Sequence, residues 1–265
     1  MAVMEVTFAS SSLKRAVTFS AVLPVDRRIG PGQAADFGAG KFKTLYLLHG
    51  YTGTHNDFLL NSDIAMLSAQ YNLAVIFPSG ENSFYLEDED LGVSHSQLVG
   101  KELVEFTRAL FPLSEKREDT FIAGISMGGY GAMINGLRYA DTFGKIQALS
   151  GAFINIDIAD AKQTKPDGLS SSAYQRRVFG DPATLRQTDR DPRFLLEQLA
   201  QRGAPIPQIS QCCGAEDFLI EPNRKLHQFM VDAGISHLYE EGHGEHNWDY
   251  WLPKLRSGVE WMVRN

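Results

Sequence analysis

The residues with the clearest chemical potential are Gly124-Ile125-Ser126-Met127-Gly128. A serine hydroxyl is a poor nucleophile until a base takes its proton. A G-x-S-x-G pentapeptide serves that chemistry when it forms a sharp strand-to-helix turn that lifts the hydroxyl above the end of a sheet. The flanks fit that context: residues 120–124 read as a short apolar strand, and residues 128–140 as a helix rich in small side chains. Such a turn strains the serine backbone, and side chains two residues to either side would strike the neighbouring strand and helix. The same pentapeptide also occurs as an ordinary turn between core elements, so partners for the serine decide the matter.

A nucleophilic serine needs a base and a group to orient that base. In α/β hydrolases the chain order is Ser, then Asp or Glu, then His. Asp217 follows an apolar strand-like run, beside Glu216, and precedes Phe218-Leu219-Ile220, which would bury the turn. His246 follows the next strand and directly precedes the last helix, with His243 three residues earlier. Asp217 and His246 are favoured; Glu216 and His243 are their rivals. The fourth part is an oxyanion hole, backbone N–H groups aimed at the developing negative charge. Met127 N–H, directly after the nucleophile, supplies one donor. The loop His49-Gly50-Tyr51-Thr52-Gly53 supplies the second, through Tyr51 N–H, while His49 itself reads as a hydrogen-bonded loop histidine.

These loops must be set by a sheet. Residues 4–9 and 15–24 alternate and predict two antiparallel N-terminal strands. Runs at 44–48, 73–78, 121–124, 146–149 and 206–213 are nearly continuous in apolar residues, as expected for strands covered on both faces. Helix-compatible stretches at 56–70, 95–111, 128–140, 222–234 and 248–263 separate them, with a short strand at 237–240 before the last. Strand–helix alternation predicts an α/β fold with a mostly parallel sheet and helices on both faces. Residues 28–41 read as a loop, and the polar stretch 152–204 as a cap-like insertion within one domain spanning 1–265. Phe84 and Tyr85 lie at the edge that holds the active-site loops, where they could line a pocket or pack in the core. His55 and Trp248 are further pocket candidates. Glu87-Asp88-Glu89-Asp90 could take a hard cation such as Ca²⁺ or stand as an acidic loop in solvent.

Composition narrows the classes. The chain has 265 residues, 43% hydrophobic and 22% charged, in the range of an ordinary soluble domain able to bury its own core. A net charge of −7 argues against a nucleic-acid footprint. Cys212 and Cys213 are adjacent and would point to opposite faces of a strand, which predicts two buried thiols rather than a disulfide. Residues 1–24 alternate and contain no continuous apolar core, and no stretch approaches a membrane span, so the expectation is a soluble, cytoplasmic protein. No cofactor or zinc motif is present, and none is expected.

The motifs around His49, Ser126, Asp217 and His246, with the ending His246-Asn247-Trp248-Asp249-Tyr250-Trp251, closely resemble the esterase D family of α/β hydrolases. That family includes S-formylglutathione hydrolases, feruloyl and acetyl-xylan esterases, mycolyltransferases and small tributyrin-type esterases. The resemblance extends over about residues 15–263 and is greatest to the tributyrin-type group. It implies a Ser126–His246–Asp217 triad and hydrolysis of short-chain esters, acetyl to butyryl, with a small-molecule ester as partner and a homo-oligomer left open. Formylglutathione hydrolases usually carry a cysteine near the first loop, which this chain lacks there. Thioester hydrolysis and acyl transfer to another acceptor are the alternatives, and a non-catalytic binding protein is the remote one.

Overall fold

The structure, a computed structural model, describes residues 1–25, 40–159 and 171–264; residues 28–39 of the expected loop and 160–170 of the expected insertion lie outside it. In chain order the elements are β1 (Ala2–Ser10), β2 (Arg15–Leu23), β3 (Lys43–Leu48), α1 (Asp57–Asn61), α2 (Ile64–Tyr71), β4 (Leu73–Pro78), β5 (Glu87–Asp88), β6 (Val93–Ser94), α3 (His95–Gln97), α4 (Leu103–Leu110), β7 (Thr120–Ile125) and α5 (Met127–Arg138). They continue with β8 (Lys145–Leu149), α6 (Ile154–Ala159), α7 (Ser172–Phe179), α8 (Pro182–Leu185), α9 (Pro192–Gln201), β9 (Gln208–Gly214), α10 (Ile220–Asp232), β10 (His237–Gly242) and α11 (Trp248–Val263).

Eight strands form one sheet in the order β1-β2-β4-β3-β7-β8-β9-β10. The β1–β2 and β2–β4 pairs are antiparallel, and every pair from β4 to β10 is parallel. The parallel strands are apolar almost throughout because both faces are covered. In β3, Tyr46 and Leu48 join the larger hydrophobic cluster with Tyr130 and Met133 of α5. Leu45 and Leu47 point the other way, into a second cluster with Phe58, Ile64, Trp251 and Leu255. β3 leads on to β4 at one side and its other neighbour β7 leads on to β8, so the connections diverge between β3 and β7. A crevice opens at the carboxyl ends of strands at such a point, and the 49–53 loop and Ser126 flank it.

Two helices differ from their sequence reading. The stretch 56–70 is split because Ser62 adopts extended backbone, and its hydroxyl donates to Phe58 C=O at 2.6 Å in competition with the helix. Residues 95–111 form α3 and α4 joined by a wide turn at Leu98–Glu102, with Gly100 against the Tyr139 ring. A small antiparallel pair, β5–β6, was not anticipated; at two residues each it is too short to show a period.

That wide turn anchors the N-terminal hairpin. Glu102 accepts from the Ser10 hydroxyl at 2.6 Å, Ser11 N–H at 2.6 Å and Ser12 N–H at 3.2 Å. Burial opposes its ionisation, but these donors outweigh it and hold the carboxyl at about 2, against an ordinary 4.5. A depressed carboxyl stabilises the fold above its unfolded value and loses that contribution as pH falls through its folded value. Glu102→Gln is therefore expected to lower Tm by about 2–4 °C at pH 7, the equivalent of about 1 kcal/mol after solvent screening. The gap to wild type should narrow steadily as thermal scans move from pH 5 towards pH 3. A constant gap would assign the loss to packing.

Candidate active site

Ser126 stands at φ 54°, ψ −119°, between β7 and α5. The glycines explain how the turn closes. A Cβ on Gly124 would lie 2.4 Å from the Gly128 backbone, and one on Gly128 would lie 2.1 Å from Leu48 C=O. Both distances are far inside contact, so the β7–α5 corner packs against β3 only because these side chains are absent. The corner is also held by backbone bonds: Ser126 N–H donates to Leu149 C=O at 2.9 Å, and Ala152 N–H donates to Ser126 C=O at 2.9 Å.

The fold brings Ser126, His246 and Asp217 into one hydrogen-bonded line. His246 Nε2 is 2.9 Å from Ser126 Oγ, and Nδ1 is 2.8 Å from Asp217 Oδ2. Burial would push the Asp217 carboxyl up, but hydrogen bonds from His246 and from Leu219 N–H outweigh it and hold it below its ordinary value. An ionised carboxylate only accepts, so Nδ1 carries the imidazole proton and Nε2 is left to accept from the serine hydroxyl. Asn247 caps α11 by accepting from Tyr250 N–H at 3.2 Å, which places His246 immediately before the cap.

The rivals for these positions pair with one another. Glu216 accepts from Gly244 N–H at 2.7 Å and lies 3.0 Å from the exposed His243 ring. Together they pin the histidine loop against the end of β9, where a Cβ on Gly214 would come within 2.1 Å of Gly244 C=O.

Opposite Ser126, Gly50 passes so close that a Cβ there would touch the serine Cβ at 3.5 Å. The amides of Tyr51 and Met127 donate to no other group among the described residues. Thr52 N–H, by contrast, is tied to Asn82 at 2.8 Å. His49 is buried and structural. Its Nε2 accepts from Gly80 N–H at 2.8 Å, so Nδ1 is the donor to Gly50 C=O at 2.7 Å.

The four pocket candidates all pack against other side chains of the fold. Phe84 and Tyr85, which could line a pocket or pack in the core, are fully buried. Phe84 packs edge-on against Phe179 and Tyr130, while Tyr85 is wedged between Gly80 and Gly131 and donates to His49 C=O at 3.0 Å. Tyr85 therefore supports the end of β3 from below. His55 turns away to Ser20 of β2, with Nδ1 at 2.9 Å from its hydroxyl. Trp248 packs edge-on to Phe58 and Trp251 in the second hydrophobic cluster.

The rings that do touch His246 are Trp251, edge-on at 4.9 Å, and Phe218, tilted at 4.6 Å. Phe218 is 73% exposed, an uncommon position for phenylalanine and one that leaves an apolar rim beside the imidazole. Sequence reading missed both. His246 lies before the helix, and whether position 248 or 251 turns towards it depends on the phase that the Asn247 cap sets.

The acidic loop is neutralised from within the chain. Glu87 accepts from Arg138 at 2.6 Å, Asp88 from Arg177 at 2.6 Å and Glu89 from Arg190 at 2.8 Å. Among the described residues no group of three or more His, Cys, Asp or Glu side chains is placed to hold a metal ion. Cys212 and Cys213 are free and buried. A cavity of about 510 Å³ opens beside this loop, lined by Leu13, Glu81, His95 and Tyr174 among others, and it does not reach Ser126. No described helix is long and apolar enough to cross a membrane.

Comparison with known proteins agrees with this architecture. The family model described as "Putative esterase" matches residues 10–262. An acetyl esterase of Caldicellulosiruptor saccharolyticus is 46% identical over 264 residues, covering 100% of this chain and 99% of that protein. Among solved structures, the substrate-bound fluorophosphonate-binding serine hydrolase F of Staphylococcus aureus superposes with a TM-score of 0.83 at 26% identity, over 100% of this chain and 99% of that one. An S-formylglutathione hydrolase of the same organism gives 0.83 at 27% identity, over 99% of both chains. The eight-stranded sheet, the diverging connections around Ser126 and these matches place the chain in the putative esterase family of α/β hydrolases, as a carboxylic ester hydrolase.

Proposed function

We propose that the protein is a serine carboxylesterase that removes short acyl groups, acetyl to butyryl, by two-step acyl transfer. The observation that carries this reading is the continuous line Ser126 Oγ–His246–Asp217, with both links at hydrogen-bond length. Ser126 Oγ attacks the ester carbonyl while its proton passes to His246 Nε2. The tetrahedral oxyanion rests on Tyr51 N–H and Met127 N–H, amides that donate to no other group among the described residues. Collapse breaks the carbon–oxygen bond to the alcohol, which leaves with the proton from His246. Water then enters by the same route, releases the acid and restores the serine. Asp217 keeps Nδ1 protonated throughout.

In this reading residues 152–204 form a cap within a single domain. The Tyr174 ring of α7 meets the Tyr51 ring edge-on at 6.1 Å, so α7 reaches the oxyanion loop. The short-acyl preference draws support from the 46% identical acetyl esterase. An activity series on p-nitrophenyl esters tests it: kcat/KM is expected to peak between C2 and C4 and to fall at least tenfold by C8. A maximum at C8 or longer would overturn the short-acyl claim while leaving the esterase mechanism in place.

The likeness to a solved S-formylglutathione hydrolase favours one second reading, thioester hydrolysis at the same site. S-formylglutathione turned over with a kcat/KM well above that for p-nitrophenyl acetate would select it.

A further inference from the structure

The ring of Phe218 has no part in the steps above. Exposure by itself carries little, since apolar atoms make up much of any protein surface. What sets Phe218 apart is how the chain holds it and where the ring lies. Its neighbours point inward: Asp217, Leu219 and Ile220 are buried, whereas Phe218 is 73% exposed. The turn is tied on both sides of it. Asp217 N–H donates to Gly214 C=O at 3.2 Å, Ile220 N–H donates to Asp217 C=O at 3.0 Å, and Leu219 N–H donates to Asp217 Oδ1 at 2.9 Å. With its backbone fixed, the side chain has only two χ angles left to order when something packs on it. The ring is tilted 50° to the His246 imidazole, with centroids 4.6 Å apart.

The stereochemistry of acyl transfer says what comes to that place. Once Ser126 Oγ has attacked, the carbonyl carbon carries three further groups. The oxyanion turns to its amide donors. The leaving oxygen must come within hydrogen-bond reach of His246 Nε2, which stands 2.9 Å from Ser126 Oγ and has to hand its proton over. The acyl chain takes the remaining direction. The first atoms of the alcohol are therefore the part of the substrate held against the imidazole. Trp251, the other ring against His246, is buried in the second hydrophobic cluster, so the accessible ring there is that of Phe218. It presents carbon and no hydrogen-bonding group. A flat aromatic body can pack on it offset or edge-on and bury apolar surface, whereas a small or hydroxylated alcohol gains little.

We propose that Phe218 determines specificity on the alcohol side of the ester: its exposed ring is the platform for the leaving group and selects alcohols that carry an aromatic ring close to the ester oxygen. The acyl preference is set elsewhere and is independent of it. This inference rests on the triad reading given under the proposed function, because that reading places the leaving oxygen at His246.

The test holds the acyl group at acetyl and varies the alcohol, with benzyl acetate against ethyl acetate in wild type, Phe218→Ala and Phe218→Trp. Benzyl alcohol and ethanol are similar in acidity, so the two esters make similar demands on the leaving step. The readout is the benzyl-to-ethyl ratio of kcat/KM. In wild type it should favour benzyl acetate. In Phe218→Ala the ratio is expected to fall about three- to tenfold, the scale of one aromatic pair. The loss should appear as a higher KM for benzyl acetate with kcat within about twofold, because the ring meets the alcohol equally in the bound ester and in the transition state. Phe218→Trp keeps an aromatic platform and should keep the ratio within about twofold of wild type. Phe218 is exposed, so both variants should fold. A ratio unchanged in Phe218→Ala would overturn the proposal, and so would a wild-type enzyme with no benzyl preference. Equal losses of kcat on both esters would also overturn it, since they would make the ring a brace for the imidazole instead. If the ratio behaves in one of these ways while Ser126→Ala is dead, only this inference fails; if Ser126→Ala remains active, the triad reading fails with it.

Discussion

Ser126→Ala is expected to lower kcat on p-nitrophenyl acetate by about 10⁴- to 10⁶-fold, the range found when a triad nucleophile is removed. At tenfold per 1.36 kcal/mol this corresponds to about 5–8 kcal/mol of lost transition-state stabilisation. The fold should survive. Alanine and serine meet the same backbone restriction at φ 54°, and the backbone bonds to Leu149 C=O and from Ala152 N–H do not involve the hydroxyl. The one lost interaction is the 2.9 Å link to His246, and the imidazole keeps its bond to Asp217. Such a bond contributes about 0.5–1.5 kcal/mol net, so Tm should shift by at most about 2–6 °C. A variant that retains a tenth of the wild-type kcat would remove Ser126 from the mechanism. A variant with the predicted loss but a collapsed Tm would require a gentler probe, covalent labelling of the wild-type serine by a fluorophosphonate and its absence in folded Ser126→Ala.

Much of this site could be read before any coordinates, for reasons that differ between its parts. The parallel strands were legible because burial on both faces removes polar residues from them: β4 reads Leu73-Ala74-Val75-Ile76-Phe77-Pro78 and β7 is buried along its whole length. Ser126, Asp217 and His246 were legible because each lies within a few residues of a strand's end, where a short loop has little freedom, and the fold joins the three by hydrogen bonds. What could not be read depends on rotation or on distant pairing. Whether Trp248 or Trp251 faces the imidazole is set by the phase of α11, which the Asn247 cap fixes and the aromatic spacing alone does not. Phe84 and Tyr85 lie at positive φ, 54° and 57°, which turns both rings inward against any strand-like alternation. The acidic loop looked unpaired because Arg138, Arg177 and Arg190 are 51, 89 and 101 residues from their partners. Charge pairing over such separations is a property of the closed fold.

Asp217→Asn should cost about 10³- to 10⁴-fold in kcat with little change in KM, even though it alters no shape. The argument turns on which way the new amide must face. Asp217 Oδ1 accepts from Leu219 N–H at 2.9 Å, and Oδ2 accepts from His246 Nδ1 at 2.8 Å. An amide has a single oxygen. The Leu219 N–H is fixed by the backbone at the entry to α10 and cannot turn away, so the oxygen is expected to stay with it and the amide nitrogen to face the imidazole. Two donors cannot share that contact. The imidazole responds by moving its proton to Nε2, which then points at Ser126 Oγ and can no longer accept from it. The site is filled and the base is in the wrong tautomer. Glu216→Gln supplies the contrast: its partners are Gly244 N–H and the exposed His243, and glutamine can still accept from the amide, so kcat should stay within about threefold. If Glu216→Gln were the crippled variant and Asp217→Asn the active one, the orienting carboxylate would be Glu216 and the line through His246 would have to be redrawn.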